Sequence, residues 1–225
     1  MAPTRITRLF ASLKDQKKKG MIAYITAGDP CPERTPALIE ALEREADLIE
    51  LGVPFSDPIA DGPVIQRGGE RALRAGRSMG TVLEIAWKIR TSSEIPLLLF
   101  TYLNPVVRYD LEALAADAAA SGIDGCLLTD ASVEEAGDYV KAMQRCGLDT
   151  VFLAAPTSTE RRLRLAAKYS TGFVYLVSRA RFPAGSGQAP GTSHTGHYGP
   201  ATRRGFWDFQ TRSCRRSWAA WWRQW

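Results

Sequence analysis

Between residues 21 and 177, short apolar runs alternate with longer stretches of helical periodicity. Each apolar run is nearly continuous, which is typical of strands buried on both faces of a parallel sheet. Six strands are predicted, at residues 21–26, 47–51, 96–100, 125–128, 150–153 and 172–177. Helices are predicted between and after them, at residues 32–45, 64–75, 81–91, 111–121, 133–146 and 159–169. This order predicts the α/β class, as a (β/α)8 TIM barrel of which six β/α units are visible.

The composition changes abruptly near residue 180. Residues 180–225 contain no Ile, Leu, Val, Met, Lys or Glu, yet they hold five of the six tryptophans and both histidines. A segment without branched aliphatic side chains offers little from which to build an inner strand, so the last two β/α units are not recognisable. We therefore divide the chain into a barrel domain, residues 1–179, and an atypical tail rich in Arg, Trp, Gly and Pro, residues 180–225.

The positive net charge belongs to the tail. Residues 180–225 carry seven arginines and one acid, whereas residues 1–179 carry 22 basic and 23 acidic residues, a net charge of −1. The barrel domain therefore has no electrostatic reason to bind nucleic acid, and we expect no such partner. Arginines interleaved with tryptophans leave one alternative open, which is contact of the tail with nucleic acid or an anionic surface.

Several classes are disfavoured by what the sequence lacks. It has no 18-residue apolar run, so we expect no membrane span, and residues 1–20 lack the apolar core of a secretory signal. The four cysteines show neither paired nor metal-ligand spacing. We interpret them as free thiols of a cytoplasmic protein, and we expect no metal site.

One predicted strand contains a carboxylate. Glu50 lies between Ile49 and Leu51, and desolvating a charged group there is costly unless the group is paired or protonated. The loop that follows carries two more acids, Asp57 and Asp61, and active sites of (β/α)8 barrels lie in such loops. A buried glutamate and a loop aspartate are a plausible acid and base pair. The alternative is a structural Glu50 bonded to a neighbouring strand.

The segment Leu51-Gly-Val-Pro-Phe-Ser-Asp-Pro-Ile-Ala-Asp-Gly62, preceded by Glu50, resembles the signature segment of the tryptophan synthase alpha chain family. Shorter pieces follow the family's order along the chain: Ile25-Thr-Ala-Gly-Asp-Pro30, Thr101-Tyr-Leu-Asn-Pro105, Leu128-Thr-Asp130, Ala155-Pro-Thr-Ser158 and Gly172-Phe-Val-Tyr-Leu-Val-Ser-Arg179. The resemblance extends from the N-terminal helix to Arg179.

The resemblance implies a lyase of tryptophan biosynthesis. Such an enzyme splits indole-3-glycerol phosphate into indole and glyceraldehyde 3-phosphate by a retro-aldol reaction. Glu50 would move the protons, while Asp61 would accept the indole N–H and stabilise the positively charged intermediate. Tyr175 matches a pocket residue of the family. Further candidates for an apolar substrate slot, each with core packing as its alternative role, are Phe55, Ile65, Leu99, Leu128 and Tyr102.

The resemblance also implies a partner. The loop at residues 54–60 would dock on a tryptophan synthase beta chain in an alpha2-beta2 heterotetramer, with Pro54, Asp57 and Pro58 at the interface. The alpha chain would need no cofactor, and pyridoxal phosphate is expected only in the beta chain.

The tail departs from the family pattern. The family's phosphate-binding segments beyond the sixth strand have no match here, and we interpret residues 180–225 as translated out of frame. Codons compatible with residues 200–212, read one nucleotide later, permit Leu-Pro-Leu-Ala-Val-Gly-Phe-Gly-Ile-Ser-Arg-Pro, which resembles the family's seventh-strand segment. The rival hypothesis is an inactive barrel fragment or a scaffold that only engages a partner. Another indole- or ribose-phosphate barrel enzyme is disfavoured, because such enzymes need a lysine near the strand ends and residues 20–87 contain none.

Overall fold

The computed structural model describes residues 2–76 and 78–177, together with the backbone of residues 196–200. Six parallel strands form a curled sheet in sequence order, and a seventh strand adds to its end. The strands are β1 (Ile22–Thr26), β2 (Leu48–Gly52), β3 (Leu97–Thr101), β4 (Gly125–Leu128), β5 (Asp149–Ala154), β6 (Phe173–Val177) and β7 (Gly196–Pro200). The helices are α1 (Arg5–Asp15), α2 (Arg34–Leu42), α3 (Pro63–Arg74), α4 (Met79–Arg90), α5 (Leu103–Tyr109), α6 (Leu111–Ala120), α7 (Gly137–Arg145) and α8 (Glu160–Tyr169).

The six predicted strands and the six predicted helices are confirmed, with bounds that shift mainly at the helix ends. The short helix α5 was not predicted, because the expected loop after β3 is helical as far as Tyr109. Asp110 separates α5 from α6 with a φ of 83°. Its carboxylate accepts hydrogen bonds from the N–H groups of Glu112 and Ala113, and so caps the first turn of α6.

The seventh strand lies in the tail, whose composition predicts no inner barrel strand. β7 pairs with β6 in the antiparallel direction, with Val177 opposite Gly196 and Phe173 opposite Pro200. A further unit of a (β/α)8 barrel would continue the sheet with a parallel strand after a helical crossover. The described strand is therefore not the seventh strand of such a barrel, and β1 and β7 are the two outer strands of the sheet.

Two apolar clusters fill the fold, one on each face of the sheet. The outer cluster packs strand residues such as Ile49, Leu51 and Leu97 against the surrounding helices. The inner cluster joins residues on the opposite strand face to one side of α1. Its buried members are Ile6, Phe10, Leu48, Leu98, Leu127, Val151, Phe173 and Tyr175.

Helix α1 is held across the N-terminal ends of the strands by buried acids. Asp124, only 4% exposed, accepts hydrogen bonds from Leu97 N at 2.9 Å, Arg90 Nη2 at 2.9 Å and Arg5 Nη1 at 3.0 Å. Asp149 accepts hydrogen bonds from the hydroxyls of Thr4 and Thr7 at the start of α1. These contacts close one end of the interior, so the site must be sought at the other end.

Candidate active site

Glu50 lies on the inward face of β2. Its neighbours Ile49 and Leu51 belong to the outer cluster and Leu48 to the inner one, so alternation along the strand turns Glu50 inward. The side chain is 3% exposed. In the sheet register Glu50 stands between Tyr24 of β1 and Leu98 of β3. The structure thus places an acid in a largely apolar interior.

Three aromatic rings cross this interior. Phe100 lies between Tyr24 and Tyr175, with ring centroids 5.4 Å and 6.4 Å away and both pairs edge to face. Tyr175 is 7% exposed and belongs to the inner cluster. Tyr24 and Phe100 were not among the residues predicted for the site. Their inward orientation depends on the register of their strands with Glu50 and Gly52, which a continuous apolar run does not reveal.

Asp61 follows β2 at the end of a tightly bonded loop. Its N–H donates to Pro58 O at 3.1 Å, and Ile59 N donates to Asp57 O at 2.8 Å. On the far side, Gln66 Nε2 donates to Asp61 O at 3.0 Å. Helix α3 begins two residues after Asp61, with Gly62 as its N-cap and Pro63 at its first position. Asp61 therefore lies where the C-terminal ends of the strands open.

The loop is packed on Tyr102, the residue that precedes α5. The Tyr102 hydroxyl accepts the Ala60 N–H at 3.1 Å. Its ring lies 5.1 Å from that of Phe55, centroid to centroid. Burial, followed by the Asp61 carboxylate, raises the pKa of Tyr102 above its ordinary value. Phe55, Asp61 and Tyr102 are thereby brought together at the mouth of the interior.

The carboxylates of Glu50 and Asp61 both raise the pKa of the Tyr24 phenol. Burial is the main cause that raises the pKa of Tyr24, and the negative charges of Asp61 and Glu50 raise it further, against a hydrogen bond with Thr26 that lowers it. A neutral phenol next to two acids is available to donate a hydrogen bond to an oxygen of either. The site thus combines a desolvated acid, a second acid at the mouth and a phenol whose pKa is raised by the charges of both acids.

Two predicted slot residues, both leucines, lie on the other face of the sheet. Leu99 and Leu128 belong to the outer cluster, where they pack between sheet and helices. The inward positions on their strands are held instead by Leu98 and Leu127. Ile65 is half-buried on α3, and its place in the slot stays a prediction. The expected slot is corrected accordingly, because side chains alternate between the two faces of a strand and the prediction chose the wrong face for both leucines.

The residues proposed for the interface lie on the same loop as Asp61. Pro54 is buried, Pro58 is half-buried, and Asp57 is exposed and accepts a hydrogen bond from Ser56 Oγ at 2.7 Å. The loop and helix α5, which Tyr102 connects, carry three exposed apolar side chains, Ile59 at 83%, Val107 at 65% and Leu103 at 42%. This exposed surface of the loop and α5, called the mouth patch below, consists of Asp57, Ile59, Leu103 and Val107.

Within the described part of the chain, no group of three or more His, Cys, Asp or Glu side chains is arranged to hold a metal ion. Among the same residues, no helix has the length and apolar character needed to cross a bilayer.

The fold and the site define a protein of the (β/α) barrel class with two acids at the C-terminal end of an aromatic interior. Residues 10–187 match the family model described as the tryptophan synthase alpha chain. The chain belongs to the tryptophan synthase alpha chain family.

Individual relatives agree with this assignment. The tryptophan synthase alpha chain of Solibacter usitatus (strain Ellin6076) is 73% identical over 177 residues, which are 78% of this chain and 66% of that protein. The alpha chain of Geobacter sulfurreducens is 48% identical over 176 residues, which are 78% of this chain and 67% of that protein. The chain thus spans about two thirds of the length of the relatives it matches.

Solved structures share the fold. The crystal structure of tryptophan synthase subunit alpha from Legionella pneumophila str. Paris has a TM-score of 0.77 at 40% identity, covering 79% of this chain and 68% of that one. A structure of the tryptophan synthase a2b2 complex from Pyrococcus furiosus contains a chain with a TM-score of 0.69 at 43% identity, covering 71% of this chain and 68% of that one.

Proposed function

We propose that this chain carries the catalytic half of a tryptophan synthase alpha-type lyase, which cleaves indole-3-glycerol phosphate to indole and glyceraldehyde 3-phosphate. The observation that carries the proposal is the placement of Glu50, 3% exposed on the inward face of β2, with Asp61 at the mouth of the same interior. Membership of the family supports the choice of substrate.

The proposed reaction breaks the bond between indole C3 and the adjacent glyceryl carbon. Indole C3 must first gain a proton, since the ring leaves only as neutral indole. The hydroxyl on the glyceryl carbon loses its proton as the bond breaks and becomes the aldehyde oxygen. A carboxyl group held in an apolar interior can donate the first proton and accept the second, so Glu50 fits both transfers.

Asp61 fits a different role in this proposal. Protonation at C3 leaves the indole ring positively charged, and an ionised carboxylate opposite the ring nitrogen stabilises that charge. The loop places Asp61 nearer to solvent than Glu50, since it is half-buried. A more hydrated carboxylate stays ionised more readily, which is what the role requires.

The aromatic residues supply the slot for the indole ring. Tyr175, Phe100 and Tyr24 form a row of contacting rings along one side of the interior, against which a flat apolar ring can pack. Phe55 and Tyr102 stand at the mouth. In this proposal the substrate enters past the loop that carries Asp61.

The proposed partner is a tryptophan synthase beta chain, in an alpha2-beta2 heterotetramer. An a2b2 complex is described for the Pyrococcus furiosus relative. The mouth patch offers the exposed apolar area that a docking partner would cover. Pyridoxal phosphate would belong to the beta chain, and the alpha chain reaction as written requires no cofactor of its own. A cytoplasmic location is also part of the proposal and agrees with the free thiols of Cys31, Cys126 and Cys146.

One observation favours a second candidate, a scaffold without lyase activity. The strand β7 runs antiparallel to β6, where a (β/α)8 barrel continues with a parallel unit. The N-termini of the helices that follow such parallel strands are natural phosphate sites, and a chain without these units would lack them.

We infer that residues 180–225 are translated out of frame. We define the restored chain as the protein read in the next frame after Arg179.

The test measures indole release from indole-3-glycerol phosphate by the restored chain. We expect Glu50→Gln and Asp61→Asn each to abolish indole release while the circular dichroism spectrum is kept. Glu84→Gln and Asp138→Asn, at exposed positions on α4 and α7, are the matched controls and should turn over normally. Turnover of either site variant at the rate of the controls would refute the assigned roles.

A further inference from the structure

Two side chains from different elements hold the backbone on either side of Asp61. Tyr102, which precedes α5, accepts the Ala60 N–H at 3.1 Å. Gln66, in the first turns of α3, donates from Nε2 to Asp61 O at 3.0 Å and to Pro58 O at 3.4 Å. Tyr102 thus holds the peptide group between residues 59 and 60 and also hydrogen-bonds the Asp61 side chain, while Gln66 holds the peptide group that follows Asp61.

The two anchors are themselves fixed. Tyr102 is 3% exposed, and its ring packs against Phe55 at the beginning of the same loop. Gln66 lies on a helix whose Arg71 makes two hydrogen bonds to the carboxylate of Asp29, at 2.8 Å and 2.7 Å. Asp29 lies in the loop after β1, so α3 is tied to the end of the first strand.

We propose that Tyr102 and Gln66 form a backbone clamp that positions the Asp61 carboxylate, and that neither acts chiefly as a wall of the substrate slot. The clamp adds to the hydrogen bonds within the loop, which by themselves do not fix the loop against the rest of the fold: Ile59 and Ala60 are exposed, and among the contacts described Asp57 bonds only within the loop. Positioning to a fraction of an ångström is what an electrostatic role demands, since a displaced charge loses its effect on the ring nitrogen.

This inference rests on the proposed function for the role of Asp61 but not for the clamp itself. A first measurement therefore uses no substrate: amide hydrogen exchange of the full chain, resolved to single residues. Tyr102→Phe removes the acceptor of the Ala60 N–H together with the hydroxyl that hydrogen-bonds the Asp61 side chain. We expect exchange at Ala60 to accelerate by about two- to tenfold, as the loss of one net hydrogen bond implies. Gln66→Met keeps the length of the side chain and should accelerate exchange at the Asp61 amide.

Matched controls separate the clamp from a general loss of stability. Tyr139→Phe removes another buried hydroxyl, which donates to Cys126 O at 2.6 Å in the outer cluster. Gln16→Met removes a carboxamide that donates to Ser12 Oγ at 2.8 Å on α1. Neither control should change exchange at Ala60 or Asp61. Unchanged exchange in Tyr102→Phe and Gln66→Met would overturn the clamp.

A second measurement compares the affinities of the full chain for indole and 1-methylindole by calorimetry. An Asp61 held opposite the ring nitrogen favours indole, because methylation removes the N–H. We expect this preference in the wild-type chain and its loss in both clamp variants, in which the two ligands should bind with equal affinity. A merely structural defect would lower the affinities for indole and 1-methylindole by the same factor.

The two measurements can contradict the role of Asp61 and the clamp independently of each other. A wild-type chain that binds both ligands equally contradicts the role of Asp61 in the proposed function and leaves the clamp to be decided by hydrogen exchange. A wild-type preference for indole that survives in both clamp variants, with exchange unaltered, overturns the clamp alone.

Discussion

Gly52 lies directly beside the phenol of Tyr24. A Cβ atom added to Gly52 would come within 3.0 Å of three atoms of the Tyr24 side chain, namely Oη, Cζ and Cε2. Gly52 is two residues beyond Glu50 on the same strand, so both share the inward face. The absence of a side chain at position 52 leaves the room in which the Tyr24 ring stands next to Glu50.

The first prediction follows from this contact. Gly52→Ala should destabilise the protein by about 1–3 kcal/mol, because the Tyr24 ring must leave its position in a packed interior. The control is Gly69→Ala, a buried helical position where an added Cβ meets nothing within 4 Å. That change should be neutral or stabilise the helix by about 0.5–1 kcal/mol. Urea unfolding measures both, and equal effects would contradict the assigned crowding.

The second prediction concerns Asp124, the buried acid at the N-terminal ends of the strands. Asp124→Asn should cost about 3–5 kcal/mol of unfolding free energy, because it leaves Arg5 and Arg90 without their shared carboxylate. Asp138→Asn removes an acid of the same kind from an exposed pair with Lys141 and should have little effect. Chemical denaturation would disprove the structural role of Asp124 if the two variants proved equally stable.

The third prediction uses the cysteines. Burial raises the pKa of Cys126 to about 12, so almost none of this thiol is the reactive thiolate at pH 8. Iodoacetamide should therefore label the half-buried Cys31 and Cys146 first, and Cys126 only after unfolding. Mass spectrometry of the peptides reports each cysteine separately, including Cys214 of the tail.

The sign of the pH effect follows from linkage. The folded pKa of Cys126 is raised above the unfolded value, so its contribution to stability is complete below about pH 8.5, the ordinary thiol value. It is lost as the pH rises from there towards 12. Labelling of Cys126 in the native protein at the rate of Cys31 would contradict its burial.

The fourth prediction tests the mouth patch. Ile59→Asp and Val107→Asp should each weaken binding of a purified tryptophan synthase beta chain by about tenfold or more, as expected for exposed apolar residues at the centre of an interface. Met21→Asp alters another exposed apolar residue, 54% accessible, at the opposite end of the strands, and this variant should bind normally. The variant Asp57→Asn tests whether the charge of this loop acid contributes to binding of the beta chain. Normal binding by both patch variants would place the interface elsewhere.

The fifth prediction concerns the tail. The chain as written should release no measurable indole from indole-3-glycerol phosphate, whereas the restored chain should be active. Losing two or three charge-assisted hydrogen bonds to a phosphate removes about 3–9 kcal/mol of binding, or roughly two to six powers of ten in affinity. Equal turnover by the two chains would show that residues 180–225 form a working phosphate site and that the frameshift interpretation is wrong.

The positions of strands and helices could be predicted from the sequence because parallel strands buried on both faces appear as continuous apolar runs. The same property concealed which way each residue faces. Leu98 and Leu99 are both leucines in one run, yet Leu98 belongs to the inner cluster and Leu99 to the outer one. Helix α5 escaped prediction because it has only seven residues, too few for a clear apolar period.

The sequence by itself determined that this protein is built of β/α units, that Glu50 sits inside an apolar strand and that its composition breaks near residue 180. Those properties reside in the order of residues along one segment. Only the tertiary structure decided that Tyr24 and Phe100 share the interior with Glu50, and that Tyr102 and Gln66 hold the backbone around Asp61. These are contacts between separate elements, and they depend on the register in which neighbouring strands pair, which no single segment of the chain specifies.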